Sequence, residues 1–217
     1  MNRLSVTIWL VLLLSSGITI AVTPDTTYRV MKDTALFNTL LKNYNAELST
    51  IECDFVQLKY MSILKQPVES YGRFCYKNGM MIRWEYTEPF KYLIIINNGR
   101  MFVKDEEKIN SFDLTASESF NKLNTMLGKI VNGRVLDDKN DFLCNYFEND
   151  LNYKLVLYPK SKDLNNFFRE IVLYFGKELF SVARVQMKEL SGDKTDILFN
   201  NRKINHEIPE DKFIPNK

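Results

Sequence analysis

Short apolar runs separated by turn-forming residues fill much of the chain, and the densest series lies between Tyr71 and Asp105. Four strand-like runs follow one another there, at residues 71–77, 80–86, 92–96 and 100–104. The spacers are typical turn sequences: Asn78-Gly79, Thr87-Glu88-Pro89 and Asn97-Asn98-Gly99. Spacers this short predict an antiparallel meander, because a parallel return needs a long crossover.

One face of this meander is aromatic and the other is charged. Trp84 and Tyr86 alternate with Arg83 and Glu85, and successive side chains of a strand point to opposite faces of its sheet. An apolar concave face of this kind is suited to holding an apolar ligand.

Helical periodicity precedes the meander and follows it. Apolar residues recur at three- and four-residue steps over 28–48, which predicts a first helix. Thr115-Ala116-Ser117-Glu118 has the capping-box pattern and begins a second predicted helix that ends at Asn132-Gly133. Strand-like segments resume after it, up to residue 200. The order predicts an α+β fold, with one large antiparallel sheet of about eleven strands and helices on one side.

Two of the predicted strands are apolar on both faces. They are Ile94-Ile95-Ile96 and the run at residues 171–175. Either their outer face is also covered or they lie in the middle of the sheet, and the pattern does not decide between these.

The N-terminus has the layout of a secretory signal. A positive start at Arg3 precedes the apolar run of residues 8–14, and Thr19-Ile20-Ala21 places small residues for cleavage after Ala21. The alternative is a retained membrane anchor, but the apolar run is shorter than the ~20 residues that span a bilayer. We expect residues 1–21 to be a signal peptide and residues 22–217 to form one exported, periplasmic domain.

The net charge and the cysteine spacing bear on which classes of function the chain could have. The formal net charge of the 217-residue chain is only +2, which gives no indication of a nucleic-acid partner. Cys53, Cys75 and Cys144 lack metal-ligand or redox spacing. Cys53 and Cys75 lie equally far from Leu64 and could pair across a hairpin, although buried free thiols are the simpler interpretation.

Candidate catalytic residues are few. His206, the single histidine, lies in a polar tail, and a surface role suits it better than that of a base. Neither a nucleophile-elbow nor a dinucleotide-binding motif occurs, so the sequence does not support an enzyme, a metal site or a cofactor.

The ordered set of motifs resembles the outer-membrane lipoprotein carrier family of the LolA type. The set is Phe55-x-Gln57, Gly72-x-Phe74, Tyr76-Lys77, Arg83-Trp84-Glu85-Tyr86 with Pro89, Asn98-Gly99 with Phe102 and Asp105, the segment from Leu155 to Lys160, and the tail from Phe199 to Phe213. Each piece alone is unspecific, but the resemblance covers almost all of the chain after the signal.

The resemblance implies an unclosed antiparallel β-barrel of about eleven strands with a helical lid on its concave face. The space between them would hold the acyl chains of lipoproteins. It also implies a monomer that receives cargo from an inner-membrane ABC-type releasing complex and passes it to an outer-membrane acceptor.

Alternation around Trp84, the helix stripes and the resemblance together predict the residues that line the cavity. From the sheet we expect Phe55, Ile82, Trp84, Tyr86 and Phe102. From the helices we expect Leu36, Leu40, Phe120, Leu123 and Leu127. Ile82 is expected at the water-exposed mouth, because it precedes Trp84 on the side of the Asn78-Gly79 turn.

One position departs from the resemblance. The best-known members carry an Arg-Pro pair where this chain has Asn78-Gly79, and that arginine latches the lid. Asn78 is the candidate latch here, with only neutral hydrogen bonds to offer. Two other functions stay open: a carrier of the same fold for another amphiphile, such as a glycolipid or lipid-linked precursor, and a structural adaptor whose aromatic face is only core.

Overall fold

A single sheet organises the molecule. The computed structural model describes residues 28–78, 81–105, 108–116, 129–130, 134–136 and 141–215. Twelve strands form one antiparallel sheet in the order β1-β8-β9-β10-β11-β12-β2-β3-β4-β5-β6-β7. The sheet does not close, since β1 and β7 are its edges. The predicted α+β class and open antiparallel architecture are confirmed, with twelve strands instead of about eleven.

The strands have the following bounds: β1 Arg29–Val30, β2 Thr50–Tyr60, β3 Val68–Lys77, β4 Met81–Glu88, β5 Tyr92–Asn97, β6 Arg100–Asp105, β7 Lys108–Asp113, β8 Phe142–Glu148, β9 Asn152–Pro159, β10 Phe168–Gly176, β11 Val182–Glu189 and β12 Lys194–Ile204. The turns between neighbours are short, as the meander predicted. At the β5–β6 turn Asn98 and Gly99 both have positive φ, 50° and 72°, which suits the Asn-Gly pair.

Helix α1 spans Thr34–Glu47, and a short helix α2 spans Lys162–Asn165. Asp33 caps α1 by accepting a hydrogen bond from the Leu36 N–H. The predicted start of the first helix at Tyr28 is wrong, because Arg29 and Val30 instead pair with Glu148 and Phe147 of β8. Of the second predicted helix, Thr115, Ala116, Lys129 and Ile130 are described: the first two end a 3-10 turn, Leu114–Ala116, and the last two are α-helical.

The two faces of the sheet are covered differently. We call the face against which α1 packs the inner face; it carries the main core, which includes Phe37, Phe55 and Phe175. On the outer face, Ile95 packs with Ile208 and Phe213. The doubly apolar strands are therefore explained by an outer face that is also covered, since Val172 of β10 likewise packs there with Val156 and Tyr174.

Strand register separates the two cysteines that could have paired. Glu52 lies opposite Cys75, and Cys53 lies opposite Phe74. Because adjacent positions alternate in direction, the two side chains point to opposite faces of the sheet. Cys53, Cys75 and Cys144 are all free, so the disulfide that the spacing allowed is not formed.

Candidate functional site

An aromatic cluster occupies the inner face where β2, β3, β4 and β12 lie side by side. It consists of Phe55, Phe74, Trp84, Tyr86 and Phe199. The Trp84 ring centroid lies 5.2 Å from that of Phe55 and 5.1 Å from that of Phe74. These are the spacings of edge-to-face and tilted aromatic pairs. Alternation correctly predicted that Trp84 and Tyr86 share a face, and Phe55, predicted with the help of the resemblance, lies on that face too.

The cluster depends on one glycine. A Cβ atom at Gly72 would lie 2.0 Å from the Glu85 carbonyl oxygen and 2.6 Å from the Phe55 ring. Gly72 pairs with Phe55 on one side and Tyr86 on the other. Its missing side chain lets those two rings approach to a centroid distance of 5.1 Å across the intervening strand.

The apolar surface continues from β4 onto β5 and β6. Trp84 lies opposite Ile94, and Ile82 lies opposite Ile96, which in turn lies opposite Met101. Trp84, Tyr86, Ile94 and Met101 pack against the main core but keep part of their surface exposed. We call these four residues the inner strip. It forms a partly accessible apolar patch on the inner face.

Helix α1 covers the other half of the inner face. Its Phe37 ring lies 4.9 Å from Tyr153 and 5.7 Å from Phe175, measured between centroids. The stripe that contacts the sheet contains Phe37, Leu41 and Tyr44. Leu36 and Leu40 are 53% and 38% exposed. The prediction that Leu36 and Leu40 face the sheet is therefore wrong. The helix face that packs on the sheet is shifted by one residue, to Phe37 and Leu41.

Two predicted sheet positions also need correction. Phe102 pairs with Ile95 and packs with the outer cluster around Ile208 and Phe213. It therefore cannot line the inner face. Ile82 does lie on the inner face, but it is only 3% exposed and belongs to the main core, so its predicted position in water at a cavity mouth is wrong.

Other predicted positions can be placed only in part. Phe120, Leu123 and Leu127 lie outside the described residues. Asn78 follows β3, and its N–H donates to the Ser49 carbonyl oxygen at 2.7 Å, just beyond the end of α1. This location is next to the end of a covering helix; the latch role remains a prediction.

Three ionisable groups of the inner face, Tyr86, Cys53 and Cys144, are neutral at neutral pH. Burial raises the pKa of Tyr86 to about 12, although its hydroxyl donates to the Gln57 side chain at 3.0 Å, a bond that lowers it. Burial likewise raises the pKa values of Cys53 and Cys144 to about 12. Thiols with such values are protonated and unreactive at neutral pH.

Several inner-face residues escaped the sequence prediction. Phe74 and Phe199 belong to the motifs of the resemblance and Ile94 to a strand that is apolar on both faces, but none of the three was assigned to the site. Phe74 and Ile94 could have been identified from the pairing of β3 and β5 with β4, since both lie directly opposite Trp84. Phe199 could not be found this way, because β12 pairs with β2 from more than a hundred residues away in the chain.

The described part of the chain lacks two further kinds of feature. No group of three or more His, Cys, Asp or Glu side chains there could hold a metal ion. No helix among those residues is long and apolar enough to cross a membrane.

The chain is similar in sequence to known lipoprotein carrier proteins and similar in fold to a solved structure. The chain is 28% identical over 144 residues to the outer-membrane lipoprotein carrier protein of Xanthomonas oryzae; the match covers 66% of each chain, just under two thirds. It is 23% identical over 161 residues to the protein of the same name from Methylococcus capsulatus, covering 74% of each. An uncharacterized conserved protein from Thermus thermophilus has a similar fold, with a TM-score of 0.54 at 11% identity, covering 85% of this chain and 95% of that one.

The match to a family is broader than any of these pairwise matches. Residues 46–216 match the family described as outer membrane lipoprotein carrier protein LolA. This range contains strands β2 to β12 and hence the whole aromatic cluster and inner strip. With its open antiparallel sheet and apolar inner face, the chain belongs to the LolA family of outer membrane lipoprotein carrier proteins.

Proposed function

We propose that this protein is a periplasmic carrier that holds the acyl chains of lipoproteins against its inner face. It takes them from an ABC-type releasing complex in the inner membrane and passes them to an acceptor in the outer membrane. The observation that carries the proposal is the inner strip: four apolar side chains, two of them aromatic, lie together and partly exposed on the face that bears the core.

The energetics of acyl chains explain why such a surface is useful. A sixteen-carbon chain left in water costs on the order of 10 kcal/mol, at about 0.8 kcal/mol per methylene. A carrier must recover most of this and still release its cargo. An open sheet with a partly exposed strip supports both requirements, because the chain need not be enclosed on every side.

Trp84 offers a direct measurement of binding. The chain has two tryptophans, Trp9 and Trp84, and only Trp84 remains if the signal peptide is removed. We expect its fluorescence to change when a sixteen-carbon fatty-acid analogue binds to delipidated protein. An unchanged spectrum with no competition between analogues would mean that the aromatic face is only core, as in the structural adaptor.

A matched pair of variants locates the binding surface. Ile94 and Leu93 are neighbours on β5 and both are partly buried, but Ile94 packs with the inner core and Leu93 with the outer cluster. Ile94→Ala should weaken binding of the analogue by about tenfold, since it removes roughly 1–2 kcal/mol of apolar contact. Leu93→Ala should leave the affinity unchanged; equal losses in both variants would contradict an inner-face site.

Cargo identity requires its own experiment. Mass spectrometry of material that co-purifies with the protein from the periplasm should detect lipoproteins. A glycolipid or lipid-linked precursor would show a carrier for another amphiphile. Loss of lipoprotein from the outer membrane after depletion of the protein would test the direction of transport.

A further inference from the structure

An arginine lies on the otherwise apolar inner face, near the end of β12. The register of β12 against β2 shifts between Asn200 and Lys203, and Asn201 has a left-handed φ of 52°. After this bulge Ile204 lies opposite Ile51 and packs with the main core. Because side chains alternate along a strand, Arg202 shares the inner face with Ile204. The bulge thus directs a cation towards the core.

Arg202 has few partners for its charge. One of its guanidinium nitrogens, Nη1, donates to the Ser181 carbonyl oxygen at 3.2 Å. None of the ion pairs among the described residues includes Arg202, although Arg184 and Lys177, for example, each pair with a carboxylate. A guanidinium has five N–H donors, so most of those of Arg202 remain available.

Two hydroxyl groups close to Arg202 also lack partners. Tyr44 Oη on α1 and Ser181 Oγ, just before β11, are buried, and neither makes a hydrogen bond of ordinary geometry, although the two hydroxyls lie near enough for Ser181 to lower the pKa of Tyr44. Burial raises the pKa of Tyr44 to about 12, against the lowering effects of the nearby Arg202 charge and the Ser181 hydroxyl. Three groups that can donate hydrogen bonds therefore lie together between the helix and the sheet.

The site is also accessible from outside. Arg202 lines an open groove of about 460 Å³ between the β8–β9 turn and the β10–β11 turn. Leu151 and Leu179, one from each turn, line the same groove and are exposed. Lys177 and the carboxylates of Asp150 and Glu178 line it as well; Asp150 pairs with Arg29, and Lys177 pairs with Glu148. The arginine thus lies where a solvent-exposed groove meets the apolar inner face, which is the place that an amphiphile needs for its polar end.

We propose that Arg202, with the hydroxyl groups of Tyr44 and Ser181, binds an anionic oxygen group at the polar end of an acyl ligand. This inference rests on the acyl-binding inner face of the proposed function and extends it to anionic amphiphiles, because the ester- and amide-linked chains of a lipoprotein carry no carboxylate or phosphate. The acyl chain would then extend from Arg202 over Phe199 and the aromatic cluster. A carboxylate or a phosphate would accept the free N–H and O–H donors and neutralise the part-buried charge. Charge-assisted bonds of this kind are about twice as strong as neutral ones.

The experiment compares ligands that differ only at the polar end. Delipidated protein is titrated, by Trp84 fluorescence and by calorimetry, with a sixteen-carbon fatty acid, its methyl ester and a lysophosphatidic acid of the same chain length. The wild-type protein should prefer the anionic ligands to the ester. Arg202→Met should lose about tenfold in affinity for the anions and change the ester affinity by less than about twofold. A larger loss for the lysophosphatidic acid than for the fatty acid supports a phosphate as the natural group, and the reverse supports a carboxylate.

A matched control comes from the opposite end of the sheet. Arg169 is exposed, and its Nη2 donates to a backbone carbonyl, that of Leu190, at 3.1 Å. Arg169→Met removes the same kind of contact away from the groove and should change none of the affinities. Tyr44→Phe removes only a hydroxyl and should weaken anion binding by about threefold, which keeps the test available if Arg202→Met does not fold.

The two proposals fail in different ways. If Arg202→Met lowers the affinities for acid and ester equally, Arg202 only supports the β10–β11 turn through Ser181, and the inference is overturned. The same holds if Arg202→Met folds poorly and Tyr44→Phe binds the anions like the wild type. If no ligand binds the wild-type protein, acyl carriage itself is wrong.

Discussion

Ile82 and Ile63 carry the same side chain in opposite environments. Ile82 is 3% exposed within the main core, whereas Ile63, in the turn between β2 and β3, is 86% exposed. Ile82→Ala should lower the free energy of unfolding by about 2–4 kcal/mol through lost burial and a residual cavity. Ile63→Ala should change it by less than about 0.5 kcal/mol. Urea denaturation of both variants measures the difference, and a tolerated Ile82→Ala would restore the mouth position that the sequence suggested.

The carboxylate of Asp196 is expected to make the stability of the protein depend on pH in the acid range. Burial alone would raise its pKa, but hydrogen bonds from Arg184 at 2.8 and 2.5 Å and from Gln186 at 2.8 Å, together with the charges of Arg184 and Lys194, outweigh burial and lower the pKa. A lowered folded-state pKa stabilises the protein above the unfolded value of 3.8, and this contribution is lost as the pH falls through the folded value.

Asp196→Asn should therefore be less stable than the wild type at neutral pH and should lose less stability between about pH 5 and pH 3. Denaturation midpoints measured across this range test the prediction. Asp150→Asn is the control, because Asp150 is exposed and, within the described part of the chain, forms an ion pair only with the exposed Arg29. If Asp196→Asn and wild type lose stability in parallel, other carboxylates control the acid transition.

Alternation is reliable within one strand and fails across turns. Trp84 and Tyr86 were placed on the same face correctly because they are two positions apart on one strand, whereas Phe55, on β2, was placed there with the help of the resemblance. Phe102 was assigned to the wrong face, since its assignment required a register carried through β5 and two turns. Cys53 and Cys75 show the same effect: the spacing centred on Leu64 is one residue from the true pairing of Glu52 with Cys75. A shift of one residue moves a side chain to the opposite face.

At the scale of elements, the segment 206–213 acts as a strap across the outer face. The His206 carbonyl oxygen accepts from Thr50 Oγ1 at 2.6 Å, and the Phe213 carbonyl oxygen accepts from Asn97 Nδ2 at 3.2 Å. The strap thus joins β2 to β5. It also buries Phe213 completely against Cys75 and Ile95.

Phe213→Ala should loosen this strap and cost about 3–5 kcal/mol of stability. Cys75 lies beneath it, so its thiol should react faster with a thiol reagent, as mass spectrometry of the labelled peptide can show. Ile214→Ala is the control, because Ile214 is 52% exposed. Unchanged labelling of Cys75 in Phe213→Ala would show that the strap is not its cover.

The element order was predictable because turn residues and periodicity are local signals. Strand β1 was not, since two residues are too few to show alternation, and Arg29 and Val30 are strand only through pairing with β8. The helix stripe was misassigned for a similar reason. Leu36, Phe37, Leu40 and Leu41 offer two adjacent apolar stripes, and only packing against Tyr153 and Phe175 selects the one with Phe37 and Leu41.

For the whole molecule, the two halves of the unclosed sheet differ in how completely their inner face is buried. Strands β8 to β11 are packed under α1, and their core residues Leu155, Leu157 and Leu173 are fully buried. The inner strip on β4, β5 and β6 retains exposed apolar surface. On the proposed function, the closely packed half would supply the stability of the empty chain, and the other half would supply the surface for cargo.

This division predicts how cargo changes stability. A ligand that binds only the folded state adds about 2.7 kcal/mol at a free concentration of one hundred times Kd. For a domain of this size each kcal/mol shifts Tm by about 2–4 °C, so a saturating fatty-acid analogue should raise Tm by about 5–10 °C. Ile94→Ala should show a smaller shift at the same ligand concentration, because its Kd is higher, whereas Leu93→Ala should keep the full shift. Differential scanning calorimetry of delipidated protein measures all three. A ligand that leaves Tm unchanged while altering Trp84 fluorescence would bind folded and unfolded chains alike, and the inner strip would then be a nonspecific apolar patch instead of a carrier site.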